Sequence, residues 1–600
     1  MTPFVYILIA VIVALLAWFV ISLIWGKPWS VNLLYMRTFL RFALGSPELL
    51  TMLGMLEKFG IHGHNAKLAD ASVAHETKVY QRLKRDLRIL RSYDRRRQSK
   101  AQLLSTDVMD WFLDDQARAE RFRFHDYPLN QMFGLQSELP NFMLTLHPVI
   151  SKLEGRNYVR RLGRFGVKFD QVLEGLRIRT EKGIIPPKFV IRRVLDEMTA
   201  FIGQPANQNP LYTVFQEKLA KLKISPADQQ ALLAAAEAAI QATVYPAYQK
   251  MIAYFTELEG KATTDDGVWK LPEGDAYYTH CLRSNTTTEM TPQQVHEIGL
   301  SEVARIEAAM ADILKGLGYE DVSSPAKKLQ EFALEERFLF PNTDEGRAAA
   351  LVEYQRILDH VNANLDPLFE IRPKAALKVE RVPEFREKTA PGAYYQPGDM
   401  SGGRPGVFSA NLRDMKEVPK FGMKTLAYHE GIPGHHFQIA IAQELKGLPF
   451  FRRMLPFTSY AEGWAMYAEQ LMREQGMYQD DPYSELGCLD AELFRAVRLV
   501  VDTGIHYKRW TREQAIEYMQ AHSGSALESI VSEIERYIVM PGQACAYKVG
   551  MLKMLALRQK ARQALGDKFD LRSFHNVVLK DGSLPLALLE QIVDDYIKQN

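Results

Sequence analysis

Three histidines and a carboxylate adjacent to the first of them lie in the segment 428–438, which reads YHEGIPGHHFQ. The common zinc-hydrolase pattern places two histidines four residues apart on one helical face, with a glutamate directly after the first. Here the position four residues after His429 is Pro433, so the literal pattern is absent. The residue types are nevertheless those that zinc-dependent hydrolysis requires, because imidazoles bind the metal and Glu430 places a carboxylate beside the first imidazole.

Pro433 decides which later histidine returns to the metal. It cannot donate a hydrogen bond to the carbonyl of His429, so a helix through this segment must bulge or kink. If the bulge loops out two residues, His435 takes the place of the second ligand. In an unbroken helix His436 would share the face of His429 but lie about 10.5 Å further along the axis. We therefore favour His435 as the ligand, with His436 as the alternative and otherwise a hydrogen bonder near the metal.

A third ligand is expected from the segment 459–469, SYAEGWAMYAE, which contains Glu462 33 residues after His429. Gly447 is expected to end the first helix, so a short connection brings a second helix back antiparallel to it. Two histidines and one glutamate form a known set of catalytic zinc ligands. Glu469 lies seven residues further along the same face, and we expect it to be a surface carboxylate.

The rest of the chain is predicted to be mainly helical. Apolar residues recur at three- and four-residue spacing in Pro292–Leu314, where Thr291 is placed as the N-cap. Strand patterns occur only between about residues 375 and 412, and they predict a small antiparallel sheet. Its expected strands are Leu377–Val382, Ala393–Tyr395 and Gly406–Leu412. This sheet directly precedes the metal-site helices, which are expected at about residues 422–475.

The first 27 residues are predicted to be a membrane anchor. Phe4–Trp25 contains 22 residues without a charge, and a helix of that length spans about 33 Å, enough for a bilayer core of roughly 30 Å. No basic n-region or small-residue cleavage site marks it as a signal peptide. Lys27, Arg37 and Arg41 follow the segment and no basic residue precedes it, so the charge flanks favour a single pass with a cytoplasmic body. Residues 28–600 are expected to form one helical domain.

The composition excludes several other classes of protein. The chain of 600 residues has 74 basic and 72 acidic residues, a net charge of +2, so no overall charge favours nucleic acid. Three distant cysteines provide neither a disulfide framework nor a thiolate metal site. The segment 82–100 holds nine basic residues. We expect it to be a solvent-exposed helix face, with anionic lipid near the anchor or nucleic acid as alternatives, although no nucleic-acid motif supports the latter.

The sequence resembles the bacterial proteins called domain of unknown function 885, regarded as relatives of gluzincin metallopeptidases, over nearly the whole soluble body. The shared motifs are SPELLT at 46–51, RPGxF at 404–408, HEGIPGHHFQ at 429–438, EGWAMYAE at 462–469, DTGIH at 502–506, RY at 536–537 and PGQA at 541–544. The resemblance implies a large helical body around a deep cleft, a zinc peptidase-like site and a poorly defined substrate. One departure is Ser409, where family members often carry tyrosine. The family is often exported, so a periplasmic body is the alternative to the cytoplasmic one.

Together these residues predict hydrolysis of a peptide or small amide by zinc-activated water. Glu430 is expected to take the proton from water and return it to the leaving amine. His506, Arg536 and Tyr537 are expected donors to the oxyanion, by analogy with donors found late in related peptidase chains. Tyr394 and Tyr395 are expected to bind an extended substrate at the sheet edge. Arg404 either holds a substrate carboxylate or forms a structural salt bridge, and Arg536 is also expected to contact substrate.

Two other function classes stay open. A zinc amidohydrolase that acts on a non-peptide or γ-glutamyl-type amide would use the same residues, because the attack on an amide carbonyl is the same. A catalytically inactive, membrane-anchored binding protein could keep the fold, but the complete ligand set beside Glu430 argues against it. Turnover of peptides measured beside small amides would separate these classes.

Overall fold

The computed structural model describes residues 19–54, 56–384, 387, 390–398 and 404–600. The predicted membrane segment, Phe4–Trp25, lies mostly outside these residues. Within the described ranges, every helix is too short or too polar to cross a membrane. The predicted boundary between an anchor that ends at residue 27 and a body that begins at residue 28 therefore stays a prediction.

The chain divides into two compact units. The first extends to Asp265 and includes Lys270–Pro272, and the second contains Asp266–Trp269 and Glu273–Asn600. The first unit is helical throughout its described elements, which confirms the mainly helical prediction for this part. Its helices are α1 (Val31–Gly45), α2 (Pro47–Leu53), α3 (Val73–Arg91), α4 (Lys100–Ala119), α5 (Leu135–Thr145), α6 (Lys152–Leu162), α7 (Phe165–Glu181), α8 (Lys188–Ile202), α9 (Pro210–Ala220), α10 (Pro226–Ala239) and α11 (Tyr245–Glu259).

The second unit contains the strands and both motif segments of the predicted metal site. Its helices are α12 (Gly274–Thr286), α13 (Pro292–Gly316), α14 (Pro325–Phe332), α15 (Asp344–Ala363), α16 (Lys420–Glu430), α17 (His435–Glu444), α18 (Phe450–Met454), α19 (Thr458–Glu474), α20 (Pro482–His506), α21 (Arg512–Ala521), α22 (Leu527–Val539), α23 (Ala546–Leu565), α24 (Leu571–Leu579) and α25 (Leu586–Gln599). Its strands are β1 (Leu377–Arg381), β2 (Ala393–Gln396) and β3 (Gly406–Ala410). Helix α20 lies at the centre of this unit, and most of its side chains are buried.

The small sheet lies where the strand patterns predict it, but its topology differs from the prediction. The strand β3 pairs in parallel with β1 and antiparallel with β2, so the order is β1-β3-β2. The prediction of a wholly antiparallel sheet is therefore wrong. Successive strands along the chain run in opposite directions. Because β3 lies between β1 and β2 in the sheet, β1 pairs with β3, which runs in the same direction as β1.

The helix predicted at Pro292–Leu314 is confirmed as α13, with Thr291 as its N-cap. The Thr291 hydroxyl accepts a hydrogen bond from the backbone N–H of Gln294 at 3.2 Å. The Gln294 side chain in turn accepts from the backbone N–H of Thr291 at 2.9 Å. This capping box satisfies two of the donors that a helix leaves open at its start, which explains why the helix begins here.

Helices α19 and α23 approach each other through two glycines. A Cβ on Gly463 would lie 2.5 Å from the carbonyl carbon of Gly550, and a Cβ on Gly550 would lie 1.9 Å from the carbonyl oxygen of Ser459. Backbones this close leave no room for a side chain at either position. Because Gly463 directly follows Glu462, this crossing also fixes the place of the predicted third ligand.

Candidate metal centre

The segment between the first two predicted ligands is a turn that joins two separate helices. Helix α16 ends at Glu430 and α17 begins at His435, so the predicted single helix with a bulge is wrong. Pro433 has no N–H with which to continue the helical hydrogen bonds, and Gly434 leaves the helical conformation at φ −80° and ψ −125°. A Cβ on Gly434 would lie 2.0 Å from the carbonyl oxygen of His429. Only glycine therefore allows this tight return onto the end of α16.

A tryptophan ties this turn to the helix that carries the third ligand. The indole Nε1 of Trp464 on α19 donates a hydrogen bond to the carbonyl oxygen of Pro433 at 2.9 Å. The Trp464 side chain is fully buried, so the contact is protected from competing water. Since Glu462 lies two residues earlier on the same helix, the contact helps to hold this carboxylate opposite the turn.

Three predicted ligands converge at this place. His429, His435 and Glu462 each offer one ligand atom, and the three atoms lie within 4.8 Å of one another. Glu462 Oε2 is 3.6 Å from His429 Nε2 and 3.2 Å from His435 Nε2. The two imidazole rings meet edge to face, with their centroids 4.8 Å apart. The arrangement is the one expected for two imidazoles and one carboxylate that share a metal ion.

Glu469 is a buried partner of the first histidine, and the prediction of a surface carboxylate is wrong. Its side chain is 2% exposed, and its Oε1 lies 2.6 Å from His429 Nδ1. Glu469 lies seven residues, or about two helical turns, after Glu462 on the same face of α19. It therefore faces the same buried interior as Glu462, which its charge alone did not indicate. An outer carboxylate that orients a histidine ligand is a common part of zinc sites. The other imidazole differs, since His435 Nδ1 has no hydrogen-bond partner within the described part of the chain.

The electrostatics of the cluster favour positive charge between the carboxylates. Burial by itself lowers the pKa of His429, but the proximity of Glu462 and Glu469 outweighs it and raises the pKa to about 9. Burial by itself raises the pKa of Glu462, but the charge of His435 and the contact with His429 lower it well below the usual range of a glutamate. Both shifts indicate that the site stabilises a cation, whether a proton or a metal ion.

The donor set fits a zinc ion. Glu462 Oε2 is buried and has no hydrogen bond of regular geometry with any described residue, although His435 Nε2 lies 3.2 Å away. A buried carboxylate oxygen without donors is costly unless a cation compensates it. Catalytic zinc sites commonly use three protein ligands, which include imidazole nitrogens and carboxylate oxygens. His429, His435 and Glu462 are therefore the residues that would hold it.

Glu430, the predicted general base, lies beside the cluster but outside the group of three ligand atoms. It is the last residue of α16, and its side chain is 8% exposed. Its negative charge contributes to the raised pKa of His429. Burial, with a further contribution from Glu430, also raises the pKa of Tyr354. Glu430 is thus buried within electrostatic reach of His429 and is not one of the three candidate ligands, and its role as general base stays a prediction.

His436, the alternative ligand, is directed to the sheet instead of the cluster. Its Nδ1 lies 3.1 Å from the Tyr395 hydroxyl on β2, and the two rings meet edge to face at 5.4 Å. Burial lowers the pKa of His436 to about 4 and raises that of Tyr395 to about 12. A neutral imidazole and a protonated phenol therefore form this contact, which joins β2 to the helix that begins with His435.

The structure does not bring His506 to the cluster. Its Nδ1 accepts a hydrogen bond from the backbone N–H of Val268 at 3.1 Å, and its Nε2 lies 3.0 Å from the carbonyl oxygen of Tyr537. Burial lowers the pKa of His506 to about 4, so the ring is neutral and donates from Nε2. Both ring nitrogens are thus engaged by main-chain groups.

Tyr537 belongs to a buried network of charged residues. Its hydroxyl donates to Glu533 at 2.5 Å and accepts from Arg498 Nε at 2.9 Å. Arg536 donates to the same carboxylate at 2.8 Å and to the side chain of Gln543 at 2.6 Å. The predicted residues Arg536 and Tyr537 therefore share one network, in which two guanidinium groups surround the single carboxylate of Glu533.

Sequence reasoning missed Tyr547, which contacts this network and whose pKa is affected by the charge of Glu462. The Arg498 guanidinium lies over its ring, 4.5 Å from the centroid. Burial raises the pKa of Tyr547, and the charge of Glu462 raises it further. The tyrosine lies 85 residues after Glu462, and a single sequence contains no spacing rule that would place it there.

Two further predicted substrate contacts lie at the sheet. Tyr394 is on β2, opposite Ser409 of β3, at the position next to Tyr395. Ser409 is the departure from the family pattern, and it is buried. Arg404 is exposed and lies two residues before β3. The roles of Tyr394 and Arg404 in substrate binding stay predictions.

Comparison with known families places the chain in a bacterial family. The family described as "Bacterial protein of unknown function (DUF885)" matches residues 47–593. The chain therefore belongs to this family, as the resemblance of its motifs predicts. A comparison with curated proteins finds no match.

Two solved structures share the fold. A crystal structure described as "the putative lipoprotein from Colwellia psychrerythraea" has a TM-score of 0.91 and 35% sequence identity, and the match covers 95% of this chain and 99% of that chain. A structure described as "a putative lipoprotein of unknown function from Shewanella oneidensis" has a TM-score of 0.73 and 17% identity, over 94% of this chain and 99% of that chain. The second similarity is one of fold alone.

Proposed function

We propose that this protein is a zinc-dependent hydrolase of peptide bonds or related small amide bonds. The observation that supports this most directly is the convergence of ligand atoms from His429, His435 and Glu462 within 4.8 Å, next to Glu430. Catalytic zinc sites use three protein ligands and keep one position for water or substrate, with a carboxylate nearby as base. In this proposal His436 is not a ligand.

The side chains around the cluster have separate tasks. Bound zinc would lower the pKa of a coordinated water towards about 7 and polarise the amide carbonyl. Glu469 accepts the Nδ1–H of His429 and so directs the Nε2 lone pair of that ring into the cluster. Glu430 accepts a proton from the attacking water and returns it to the nitrogen of the leaving amine.

We assign Tyr547 as the donor to the negative charge that develops on the carbonyl oxygen. The charge of Glu462 adds to the effect of burial on the pKa of Tyr547, which supports a place within electrostatic reach of the ligands, and the raised pKa keeps the hydroxyl protonated at neutral pH. A fixed hydroxyl of this kind stabilises an oxyanion more than it stabilises the starting amide. Tyr537 and His506 are then positioning residues, since hydrogen bonds already engage their polar atoms.

An extended substrate has a suitable edge in β2. Among the described strands, β2 pairs with β3 on one side only, and an exposed strand edge accepts a peptide by adding it as a further strand. The contact between Tyr395 and His436 joins β2 to the helix of His435. A peptide on this edge would therefore run beside the ligand cluster, where Tyr394 and Arg404 are the proposed contacts.

The protein is also proposed to associate with a membrane. The uncharged sequence Phe4–Trp25 supports an anchor, and the similar structure from Colwellia psychrerythraea is described as a "putative lipoprotein". The two observations imply different kinds of anchor but the same location at a membrane. The side on which the body lies stays a prediction, with the charge flanks favouring the cytoplasm.

One assay tests the proposed function. The full chain is loaded with zinc and incubated with a peptide library and, in parallel, with small amides that include γ-glutamyl compounds. We expect cleavage of at least one class, its loss on chelation and its return with zinc. Cleavage of small amides alone would favour the amidohydrolase alternative. Binding of about one zinc without turnover of either class would contradict the proposal and favour a binding protein.

A further inference from the structure

Helix α1 in the first unit presents an apolar stripe to solvent. Met36, Leu40 and Leu44 are 58%, 46% and 64% exposed. Their four-residue spacing places them along one side of the helix. The opposite side of α1 is packed, since Leu34 and Tyr35 are almost fully buried. Single exposed apolar residues are normal on a protein, but a continuous stripe of large ones indicates a binding surface.

A basic cavity adjoins the stripe through Arg41, which follows Leu40 on α1. The cavity has a volume of about 440 Å³, and its wall includes Ile24 and Trp25 as well as Lys78, Arg82 and Arg85 of α3. Trp25 is 58% exposed. Apolar and aromatic side chains next to clustered cations are typical of surfaces that meet the headgroup region of a bilayer.

The three cations of α3 are free to bind an anion. Lys78, Arg82 and Arg85 recur at four- and three-residue spacing, so they lie on one face of the helix, and all three are exposed. None of them forms an ion pair with a residue in the described part of the chain. Neighbouring arginines differ, because Arg91 is paired with Asp110 at 2.6 Å.

A buried ion pair fixes the incoming chain beside this surface. Asp86, which is 3% exposed, binds Arg37 at 2.8 Å and Arg41 at 3.0 Å. Arg37 also donates to the carbonyl of Gly26 at 2.7 Å, and Arg41 donates to the carbonyl of Ile24. Residues 19–24 are helical, and guanidinium groups at the carbonyl end of a helix hold that end in place. These contacts hold Ile24 and Gly26 against α1, beside the cavity that Ile24 helps to line.

We propose that this surface of the first unit docks onto a bilayer that contains anionic phospholipids. Met36, Leu40 and Leu44 enter the boundary between headgroups and acyl chains, as the apolar side of an interfacial helix does. The cations of the cavity bind the lipid phosphates. Two features favour a bilayer over a protein partner: the charge complementarity of the cavity, and the uncharged sequence of residues 4–18, which leads directly into this surface. The first unit then has a second attachment to the membrane besides the N-terminal segment.

A fluorescent label at Leu44 tests the docking in the full chain. The three native cysteines are buried, so Leu44→Cys reacts selectively with an NBD probe. Leu334→Cys is the matched control, because Leu334 is also an exposed leucine, 74% exposed, outside this surface. The labelled proteins are reconstituted in phosphatidylcholine vesicles with and without about 30% phosphatidylglycerol. We expect the Leu44 probe to be quenched by shallow doxyl lipids in the anionic vesicles and the Leu334 probe to be quenched by aqueous iodide.

Charge reversal tests the role of the cavity. In the Leu44→Cys background, the triple variant Lys78→Glu, Arg82→Glu and Arg85→Glu should reduce quenching by doxyl lipids at least twofold, with unchanged circular dichroism. Equal quenching in the zwitterionic phosphatidylcholine vesicles would overturn the requirement for anionic phospholipids. A Leu44 probe that stays open to iodide would overturn the docking itself. A probe shielded from both quenchers would also overturn it, since residues 1–18 or a second copy of the chain would then cover the stripe.

Discussion

Glu469 Oε1 accepts a hydrogen bond from Nδ1 of His429 at 2.6 Å, and both side chains are buried. An ionised carboxylate can only accept, so Nδ1 carries a proton, and Nε2 is the nitrogen that faces Glu462 and His435 and is left to bind a metal ion. The contact fixes the tautomer and the ring orientation of the first ligand at the same time. It explains why a carboxylate that binds no metal is buried two turns away from Glu462.

Removal of this hydrogen bond should weaken metal binding without removing a ligand. In Glu469→Ala the imidazole of His429 is free to rotate and to exchange tautomers. Loss of an outer partner of this kind weakens metal affinity about 10- to 100-fold. Competition of the protein with a fluorescent zinc chelator measures this change directly. Glu474→Gln on the same helix is the control, because Glu474 contacts Arg558 instead of the ligands, and its affinity should match the parent. Equal affinities of Glu469→Ala and the parent would contradict the assigned role.

The tandem histidines should separate into a ligand and a neighbour. His435→Ala should lose zinc, because two remaining ligands form a weak site. His436→Ala should retain about one zinc per chain and lose rate, because the contact between Tyr395 and the helix of His435 is then gone. Metal analysis of both purified variants, with an assay of each, distinguishes the two residues. Loss of zinc from His436→Ala with retention in His435→Ala would reverse the assignment.

The convergence of His429, His435 and Glu462 was predictable from sequence because each residue belongs to a local pattern. His429 and Glu430 are adjacent, and Glu462 lies on the next long helix. Residue type and spacing were therefore sufficient to propose His429 and Glu462 as ligands and Glu430 as the base. The exact place of His435 depended on the turn, and the sequence predicted a distortion at Pro433 without showing that the helix would end. Glu469 was misjudged because its exposure was inferred from its charge instead of from the helical face that it shares with Glu462.

The crossing of α19 and α23 should not tolerate a methyl group. In Gly463→Ala the new Cβ would lie 2.5 Å from the backbone of Gly550, so the helices must separate. Overpacking of this kind costs about 1–3 kcal/mol or more, and the shift should also displace Glu462 and weaken zinc binding. Thermal unfolding and zinc titration measure the two effects. Gly422→Ala on α16 is the control, because nothing lies within 4 Å of its Cβ position. It should be neutral or slightly stabilising.

The burial of His506 predicts a loss of stability in acid. Burial lowers the pKa of His506 from 6.5 to about 4. Between pH 6.5 and pH 4, His506 is therefore protonated in the unfolded chain but neutral in the folded chain. Its contribution to stability is therefore complete above pH 6.5 and falls by about 3 kcal/mol as the pH decreases to 4. In His506→Asn this contribution is absent. The variant should be less stable at pH 7.5 but show a shallower decrease in melting temperature between pH 6.5 and 4. Parallel curves for variant and parent would contradict the prediction.

Contacts between distant segments were beyond sequence reasoning. The insertion of β3 between β1 and β2 depends on packing that no strand pattern encodes, since each strand has only four or five residues. The effect of the Glu462 charge on Tyr547 likewise depends on the crossing of α19 and α23, which carry these two residues and approach through Gly463 and Gly550. Nothing in the local sequence distinguishes Tyr547 from Tyr537, which contacts the same Arg498 but donates its hydroxyl hydrogen to Glu533.

The proposed hydrolysis rests most directly on Glu430. Glu430→Gln keeps the size and hydrogen-bonding shape of the side chain but removes the basic carboxylate, so water near the metal has no acceptor for its proton. The variant should fold normally, retain zinc and lose at least ~10²-fold in kcat, the lower end of general acid–base contributions. KM should change little, because the carboxylate acts on the water and not on the bound substrate. Metal analysis, thermal unfolding and steady-state kinetics on a cleaved substrate measure these three properties. Parent-like turnover by Glu430→Gln would exclude Glu430 as the base, whereas a variant that loses zinc would place Glu430 among the ligands.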